Sequence, residues 1–364
     1  MKIKEVLDYL EHLAPGYLQE DYDNSGLLVG DHQQEVTGIL VSLDCIESVV
    51  DEAIERKCNV IISHHPIVFS GLKRFTGADY IQRVIIKAIR NSIALISIHT
   101  NLDNVQHGVN KVICDRLGIL SPKILKPKTG MLEKLVTYIP EPHLEEVRNA
   151  LFRAGAGHIG EYSECSFSSV GQGTFTPSSR ANPTIGQRGK REQVEEVRLE
   201  VLVEKWKRQS ILQALVESHP YEEVAWEVYP IVNAHPQVGS GMIGKLAGEE
   251  NEEAFAKWVK DRMKVPAVKH TAFLNRKVRK VAVCGGSGSF LLADAIKAGA
   301  DVFISSDFKY HQYFDADGRI VILDIGHYES EQFTSEYLMV SLTEKFPNFA
   351  VHLSQIRTNP INFI

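Results

Sequence analysis

Six short apolar segments, rich in β-branched residues, alternate with helical patterns in the two outer parts of the chain. They are Gly38–Asp44, Asn59–His65, Ala94–Thr100, Val281–Gly286, Asp301–Asp307 and Ile320–Gly326. Continuous apolar strands of this kind are typical of parallel sheets that are covered on both faces. Helical stripes at 48–57, 80–90 and 290–298 lie between them. The alternation predicts an α/β fold with right-handed crossovers, and we expect the two outer parts to form one sheet system.

The middle of the chain has a different pattern. Strand-like segments at 135–139, 194–203 and 225–231 combine with helix-like segments at 142–154 and 205–218, and a Gly-, Ser- and Pro-rich stretch at 171–190 predicts a hairpin or a mobile loop. The order β-α-β-β-α-β predicts a ferredoxin-like α+β insert. We therefore expect one α/β lobe over 1–128, the insert over 129–233 and a second α/β lobe over 234–364.

Charge and cysteine content narrow the classes of function. The 364 residues carry a formal net charge of −6, which argues against an extended nucleic-acid surface or an anionic-membrane surface. The N-terminal residues read as an amphipathic helix rather than a signal peptide, and no apolar run is long enough to span a bilayer. Five scattered cysteines without a CxxC motif predict reduced thiols and a cytoplasmic protein.

Histidines and carboxylates follow three of the apolar strands. His64 and His65 precede Pro66, which fixes the backbone so that both imidazoles can face one cavity, as metal ligands or as histidines hydrogen-bonded near a turn. Asp103 offers a hard oxygen ligand or caps a helix, and His99 supports a ligand or simply packs at a strand end.

The third group follows the strand at 320–326. His327 and Glu331 are four residues apart, so they share one face of the amphipathic helix predicted to begin there. Such pairs are common on helix surfaces, but this one lies at a strand-to-helix turn, like the other two groups. The three histidines and two carboxylates exceed the needs of one tetrahedral structural zinc and suit two metal ions about 3.5–4 Å apart. The absence of thiolates favours a catalytic Zn, Fe or Mn site.

Other polar turns can line the same cavity. Asp23 to Gly26 form a polar turn or a wall of the site, and Asp44 can support a ligand. Gly286, Ser287 and Gly288 lie in a strand-to-helix turn whose N–H groups can hold a phosphate or substrate, although such a turn is often only a tight connection. Asp307 and His311 have three possible roles: to contact substrate, to transfer protons, or simply to begin a solvated helix.

Taken together, these motifs resemble the GTP cyclohydrolase 1 type 2 homologue family, also called Nif-three-like. The resemblance rests on Asp23–Leu27, His64–Pro66, His99–Asp103, Gly285–Gly288, Lys309–His311 and Gly326–Glu331, and it covers both outer parts of the chain. It implies two α/β lobes that form one Nif-three-like domain, and ring-like homohexamers whose metal sites face an internal cavity. It also implies that the insert is the PII- or CutA-like domain of longer bacterial members.

The resemblance further implies two divalent cations per subunit. Their ligands are then His64, His65, Asp103, His327 and Glu331, and Glu331 is the best bridging candidate because one carboxylate can span both ions. A metal-dependent hydrolase of a nucleotide or related small molecule is the first functional hypothesis, with His311, Asp307 or His99 transferring the proton. A non-catalytic regulatory or interaction protein that binds metal, and a metal chaperone or insertase, are the alternatives.

Overall fold

The computed structural model describes residues 1–364. The first part of the chain begins with a helix and continues with alternating strands and helices. In chain order its elements are α1 (Ile3–Leu13), β1 (Gly26–Val29), β2 (Ile39–Ser42), α2 (Glu47–Glu55), β3 (Val60–Ser63), α3 (Tyr80–Arg90), β4 (Ala94–Ser97), α4 (Thr100–Asp103), α5 (Val109–Arg116) and β5 (Leu120–Pro127). The chain divides into two compact units, residues 1–126 with 237–364, and residues 127–236.

The remaining elements belong to the middle and to the last part of the chain. The middle contains β6 (Leu132–Pro140), α6 (Leu144–Arg153), β7 (Ser166–Phe175), β8 (Glu192–Glu204), α7 (Arg208–Ser218) and β9 (Trp226–Pro230). The last part contains β10 (Gly239–Asn251), α8 (Glu252–Arg262), β11 (Lys269–His270), β12 (Lys277–Ser287), α9 (Leu292–Lys297), β13 (Val302–Ser306), β14 (Val321–Asp324), α10 (His327–Glu331), α11 (Thr334–Lys345) and β15 (Val351–Leu353). None of the helices combines the length and the apolar character that crossing a bilayer requires.

The first sheet is built on predicted strands. Its order is β1–β4–β3–β2–β15, and β2, β3 and β4 run parallel with Val41, Ile62 and Ile96 in register. All residues of these three strands are buried, as expected where both faces are covered. Side chains of α2 and α3, including Val49 and Val84, join the buried cluster on one face.

The second sheet holds the other three predicted strands. Its order is β11–β14–β13–β12–β10–β5, and β12, β13 and β14 run parallel with Val283, Ile304 and Leu323 in register. Strand β10 pairs antiparallel with β12, and residues of α9 join the buried cluster of this sheet. All six predicted apolar strands are therefore confirmed, and the molecule is a mixed α/β protein with several sheets.

The expectation of one sheet system is wrong, because the two parallel cores form separate sheets. Each sheet nevertheless takes an edge strand from the other part of the chain. Strand β15, near the C-terminus, pairs parallel with β2, while β5 from the first part lies beside β10. These edge strands are only partly buried and lack the continuous apolar pattern, so no sequence pattern indicates the exchange.

The unit formed by residues 127–236 has a sheet of its own. The strand order is β7–β8–β6–β9, and every neighbouring pair is antiparallel. Apolar side chains of α6 and α7, including Leu151 and Leu215, share a buried cluster with Leu135 and Leu199 of the sheet. The element order is the predicted β-α-β-β-α-β.

The segment 171–190 lies in a hairpin formed by β7 and β8, which is one of the two structures predicted for it. Its first five residues belong to β7, which pairs with β8 in continuous register from Ser166 opposite Val201 to Phe175 opposite Glu192. Strand β7 lies at the edge of the sheet, and nearly all of its side chains are exposed. Backbone pairing rather than side-chain burial therefore defines this strand, and a polar, glycine-containing sequence does not reveal such pairing.

The predicted amphipathic helix after His327 is divided in two. Helix α10 ends at Glu331 and α11 begins at Thr334. Between them, the buried Phe333 ring lies 3.3 Å beneath the guanidinium carbon of Arg116. The short α10 thus carries both His327 and Glu331 on one turn.

Candidate metal centre

The three predicted groups of histidines and carboxylates come together in the unit formed by the outer parts of the chain. His64 and His65 follow β3, His99 and Asp103 follow β4, and His327 and Glu331 lie on α10 after β14. The turn after β3 is held by hydroxyls, since Ser63 donates to the carbonyl of His65 at 2.8 Å and Ser97 donates to that of His64 at 3.0 Å. The carboxyl ends of strands from both sheets therefore meet at one site.

His64 is fully buried and presents a bare nitrogen to this site. Its Nδ1 lies 2.8 Å from the carbonyl oxygen of Ile98, so Nδ1–H donates and Nε2 carries the lone pair. Burial lowers the pKa of His64 to about 3, which keeps the imidazole neutral. Nε2 lies 3.6 Å from Oδ1 of Asp103, and both atoms are buried without a hydrogen-bond partner. A cation placed between these two atoms would accept a lone pair from each and so satisfy both.

Glu331 lies among the histidines. Its Oε2 is 2.9 Å from Nε2 of His65 and 3.2 Å from Nε2 of His327, and its Oε1 is 3.9 Å from Nε2 of His64. The carboxylate is only 3% exposed. Burial opposes its ionisation, but the positive His327 and the hydrogen bonds from His327 and His65 prevail and lower the pKa of Glu331. Burial and the neighbouring Glu331 raise the pKa of Asp103.

Each of the four histidines in this site is held by a hydrogen bond at Nδ1. Nδ1 of His65 lies 2.7 Å from Oδ1 of Asp44, Nδ1 of His99 lies 2.7 Å from Oδ1 of Asp23, and Nδ1 of His327 lies 2.6 Å from Oδ2 of Asp307. His64 uses the Ile98 carbonyl instead. In each ring Nε2 is the nitrogen left for the site. Metal-binding histidines characteristically have the non-ligating nitrogen fixed by a carboxylate or a carbonyl.

The supporting carboxylates are themselves held. Burial raises the pKa of Asp23, but hydrogen bonds from His99 and Thr100 outweigh that effect, so the pKa of Asp23 is well below its ordinary value. The pKa of Asp44 is also lowered, because its hydrogen bond with His65 outweighs burial. Thr358, in the C-terminal segment, donates its hydroxyl to Asp44. Burial also opposes protonation of His65 and His327, yet the adjacent carboxylates raise their pKa values to about 10 and about 11.

The side chains form three overlapping groups of possible ligands, within each of which the ligand atoms lie within 4.8 Å of one another. The groups are His64, His65 and His99; His65, His327 and Glu331; and His64, Asp103 and Glu331. The five predicted ligands all belong to these groups. His99 belongs as well, although the sequence analysis assigns it to support of a ligand, to packing or to proton transfer. Its signal was its position after a strand, two residues from the polar turn at Asn101, and that signal did not separate the two roles.

The predicted proton-transfer residues fall in different places. Asp307 contacts Nδ1 of His327 and orients that ring, and His99 lies among the clustered rings, with its centroid 5.2 Å from that of His64. His311 is exposed in a 3₁₀ segment, Tyr310–Ala316, where its ring contacts Tyr310 and Phe314. Its role in proton transfer stays a prediction.

The glycines at the end of β12 make room for Glu331. A Cβ on Gly286 would lie 2.4 Å from Oε1 of Glu331, and the φ angle of Gly286 is +60°. The Gly286 N–H donates to Oγ of Ser330 at 2.9 Å, and the Gly285 N–H donates to Oδ1 of Asn110 at 3.0 Å. These two N–H groups are therefore used within the protein, so Gly286 does not offer its N–H to a phosphate. Contacts of Ser287 and Gly288 with a substrate stay a prediction.

Two sheets whose strand ends bring together anchored histidines and buried carboxylates define an α/β protein with a cluster of metal-ligand type. The sequence profile of the Duf34/NIF3 (NGG1p interacting factor 3) family matches residues 1–360, and the chain belongs to this family. The resemblance inferred from the motifs is thereby confirmed.

Individual relatives match over the whole length. A Halalkalibacterium halodurans protein named GTP cyclohydrolase 1 type 2 homolog is 40% identical over 365 residues, covering 99% of this chain and 98% of that protein. A Bacillus cereus crystal structure, described as related to NIF3, has a TM-score of 0.87 and 38% identity and covers 100% of this chain and 99% of its own. A Staphylococcus aureus structure has a TM-score of 0.80 and 32% identity with the same coverage. The mixed α/β fold is therefore shared with these structures.

Proposed function

We propose that this protein binds two divalent cations and is a metal-dependent hydrolase of a nucleotide or related small molecule. The observation that carries the proposal is the set of four histidines whose Nδ1 atoms are all anchored and whose Nε2 atoms are left for one site around Glu331. The unpartnered Nε2 of His64 and Oδ1 of Asp103 support the same reading. Imidazole and carboxylate ligands without thiolate suit Zn, Fe or Mn.

The overlapping groups of ligands suggest how two cations would be held. His64 and Asp103 would hold one, His65 and His327 the other, and the two oxygens of Glu331 would serve both. Bound divalent cations supply Lewis acidity and lower the pKa of a water molecule towards neutrality. Asp44, Asp307 and the Ile98 carbonyl keep three imidazoles in the tautomer and orientation that such binding needs.

A proton acceptor beside the ligands is the remaining requirement. The Asp23 carboxylate holds Nδ1–H of His99, so Nε2 of His99 can accept or return a proton, as a general base does. The name of the relatives supports a cyclohydrolase-like reaction at a purine ring, and an assay with nucleotides and phosphodiesters distinguishes that reaction from phosphoester hydrolysis.

The role of His99 gives a prediction that separates chemistry from metal binding. We expect His99→Gln to keep most of the bound metal while turnover falls by about 10²–10⁴-fold, the usual contribution of a general base. Metal content by mass spectrometry and single-turnover rates on the same preparation check this. His32→Gln, at an exposed position, is the control. A variant that loses metal in proportion to activity would make His99 a ligand instead.

The direct test of the activity uses full-length protein reconstituted separately with Zn²⁺, Fe²⁺ and Mn²⁺. It is assayed against GTP, other nucleotides and phosphodiesters. Metal-dependent turnover of one of these classes supports the hydrolase. Stoichiometric metal without turnover of any of them would contradict it and favour a non-catalytic metal-binding protein.

Three further properties belong to the proposal. The order β-α-β-β-α-β and the sheet order β7–β8–β6–β9 support a ferredoxin-like fold for the insert. Five unpaired cysteines, four of them buried, support a reducing, cytoplasmic location. The family resemblance supports a ring of six chains, and sedimentation velocity that gave the mass of a single chain would contradict this.

A further inference from the structure

A cavity separate from the candidate metal centre lies within the unit formed by residues 127–236. It has a volume of about 780 Å³ and is bounded by the end of β7, the loop after it, β8 and the segment before β9. This volume is in the range of small-molecule sites. None of its lining residues takes part in the candidate metal centre.

The walls of this cavity are fixed by hydrogen bonds between segments. The hydroxyl of Thr184 donates to the carbonyl of Pro220 at 2.7 Å, and the N–H of Asn182 donates to Oε1 of Glu222 at 2.8 Å. The N–H of Gly189 donates to the carbonyl of Pro177 at 2.8 Å. The loop after β7 is thereby held against the segment before β9, so the cavity is largely formed before any ligand enters.

Aromatic rings line part of the cavity. Tyr138, Phe175 and Tyr221 all contribute, and the Phe175 and Tyr221 ring centroids are 6.2 Å apart. The Tyr221 hydroxyl donates to Oε1 of Glu196 at 2.8 Å. Burial and the neighbouring Glu196 raise the pKa of Tyr221, so the phenol stays protonated and keeps this bond.

The Glu196 carboxylate occupies a position that the backbone is shaped to receive. A Cβ on Gly173, which pairs with Val194 and is therefore diagonal to Glu196, would lie 2.1 Å from Oε2 of Glu196, so this placement requires a glycine at that position of β7. Glu196 is half-buried and has no cation within ion-pair distance, although it accepts from Tyr221. A carboxylate held in an aromatic-walled cavity without a counter-charge leaves a place for one.

Carboxylates outnumber basic groups among the other charged residues of the lining. Glu222 and Glu223 add two carboxylates. Arg198 is the basic residue of the lining, and its Nη1 lies 2.5 Å from Oε1 of Glu200, a carboxylate that also pairs with Lys134. The cavity therefore presents net negative charge together with aromatic faces, a combination that attracts organic cations and repels anions.

We propose that this cavity binds a small organic cation, a protonated amine or a guanidinium carried on an apolar or aromatic group. The cationic head forms a charge-assisted hydrogen bond with Glu196, while the rings of Tyr138, Phe175 and Tyr221 contact the remainder. The site is independent of the metal centre and of any hydrolase activity.

The test measures the binding of three matched probes to the full-length protein by titration calorimetry. Phenethylammonium is the cation, 2-phenylethanol the neutral analogue and phenylacetate the anion. We expect binding of the cation, at least about 10-fold weaker binding of the alcohol and no binding of phenylacetate, with affinity for the cation falling as salt is added.

Two variants and a control locate the site. Glu196→Gln keeps an acceptor for Tyr221 but removes the charge, and Gly173→Ala displaces the carboxylate; each should weaken phenethylammonium binding by roughly 10-fold. Glu195→Gln, on an exposed position of the same strand, should leave it unchanged. Thermal melting checks that each variant is folded. The proposal is overturned if the cation fails to bind at about 10 mM, if phenylacetate binds as well, or if the Glu195 and Glu196 variants behave alike.

Discussion

Replacing Glu331 with alanine is expected to remove the metal centre as a whole. This carboxylate contacts His65 and His327 through Oε2 and lies nearest His64 through Oε1, so both proposed cation positions depend on it. Loss of a residue that merely orients a ligand weakens metal binding by about 10–100-fold. A shared ligand should therefore cost more than about 100-fold for both ions. Chelator competition on reconstituted protein measures this change, and turnover should vanish with it.

The control for this experiment is Glu336→Ala, which removes an exposed carboxylate from the neighbouring helix α11. It should retain the metal content of the unaltered protein. A Glu331→Ala variant that still held two ions per chain would show that Glu331 does not bridge them.

The second large effect is expected from a residue that has no side chain. In Gly286→Ala the new methyl group would meet Oε1 of Glu331 at 2.4 Å, and the residue would also have to adopt a φ angle of +60°. Because Gly286 belongs to the end of β12 and lies against Glu331, the carboxylate must move away from the histidines. We expect loss of stability of about 1–3 kcal/mol from the backbone strain and the clash, together with a metal affinity lowered at least 10-fold.

Gly299→Ala separates these two causes. Gly299 has a φ angle of +71° and nothing within 4 Å of its added Cβ, so this variant has the backbone strain without the clash. It should lose stability and keep its metal. Denaturant unfolding and metal content are measured on both variants. Equal metal content in the two would contradict the role assigned to Gly286.

The sequence was most informative where local chemistry and periodicity agree. Three strand ends rich in histidine and carboxylate were identified because continuous apolar strands end abruptly at polar residues, and the structure brings all five predicted ligand residues together. The hydrogen bonds that orient the histidines were harder to predict. The bond of Asp23 to His99 joins residues 76 positions apart, and no local pattern encodes such a contact.

Other features could not be predicted from the sequence because they depend on tertiary contacts. Gly286 looked like part of a phosphate-binding turn, whereas its lack of a Cβ admits a carboxylate from a helix 45 residues later. The edge strand β15 is three residues long and only partly buried, so its pairing with β2 depends on the position of the sheet rather than on its own sequence. The position of His99 after its strand predicts that it lies at the site. Whether its Nε2 binds a cation or accepts a proton depends on neighbouring residues that the sequence does not reveal.

We propose that residues from both sheets bind a pair of cations. The decisive measurement is anomalous scattering from crystals of gently purified protein, recorded at the absorption edge of the metal found by elemental analysis. We expect two peaks about 3.5–4 Å apart, with Glu331 between them and Nε2 atoms of His64, His65 and His327 as neighbours. A sample of full occupancy with a single peak, or with metal bound away from Glu331, would contradict it.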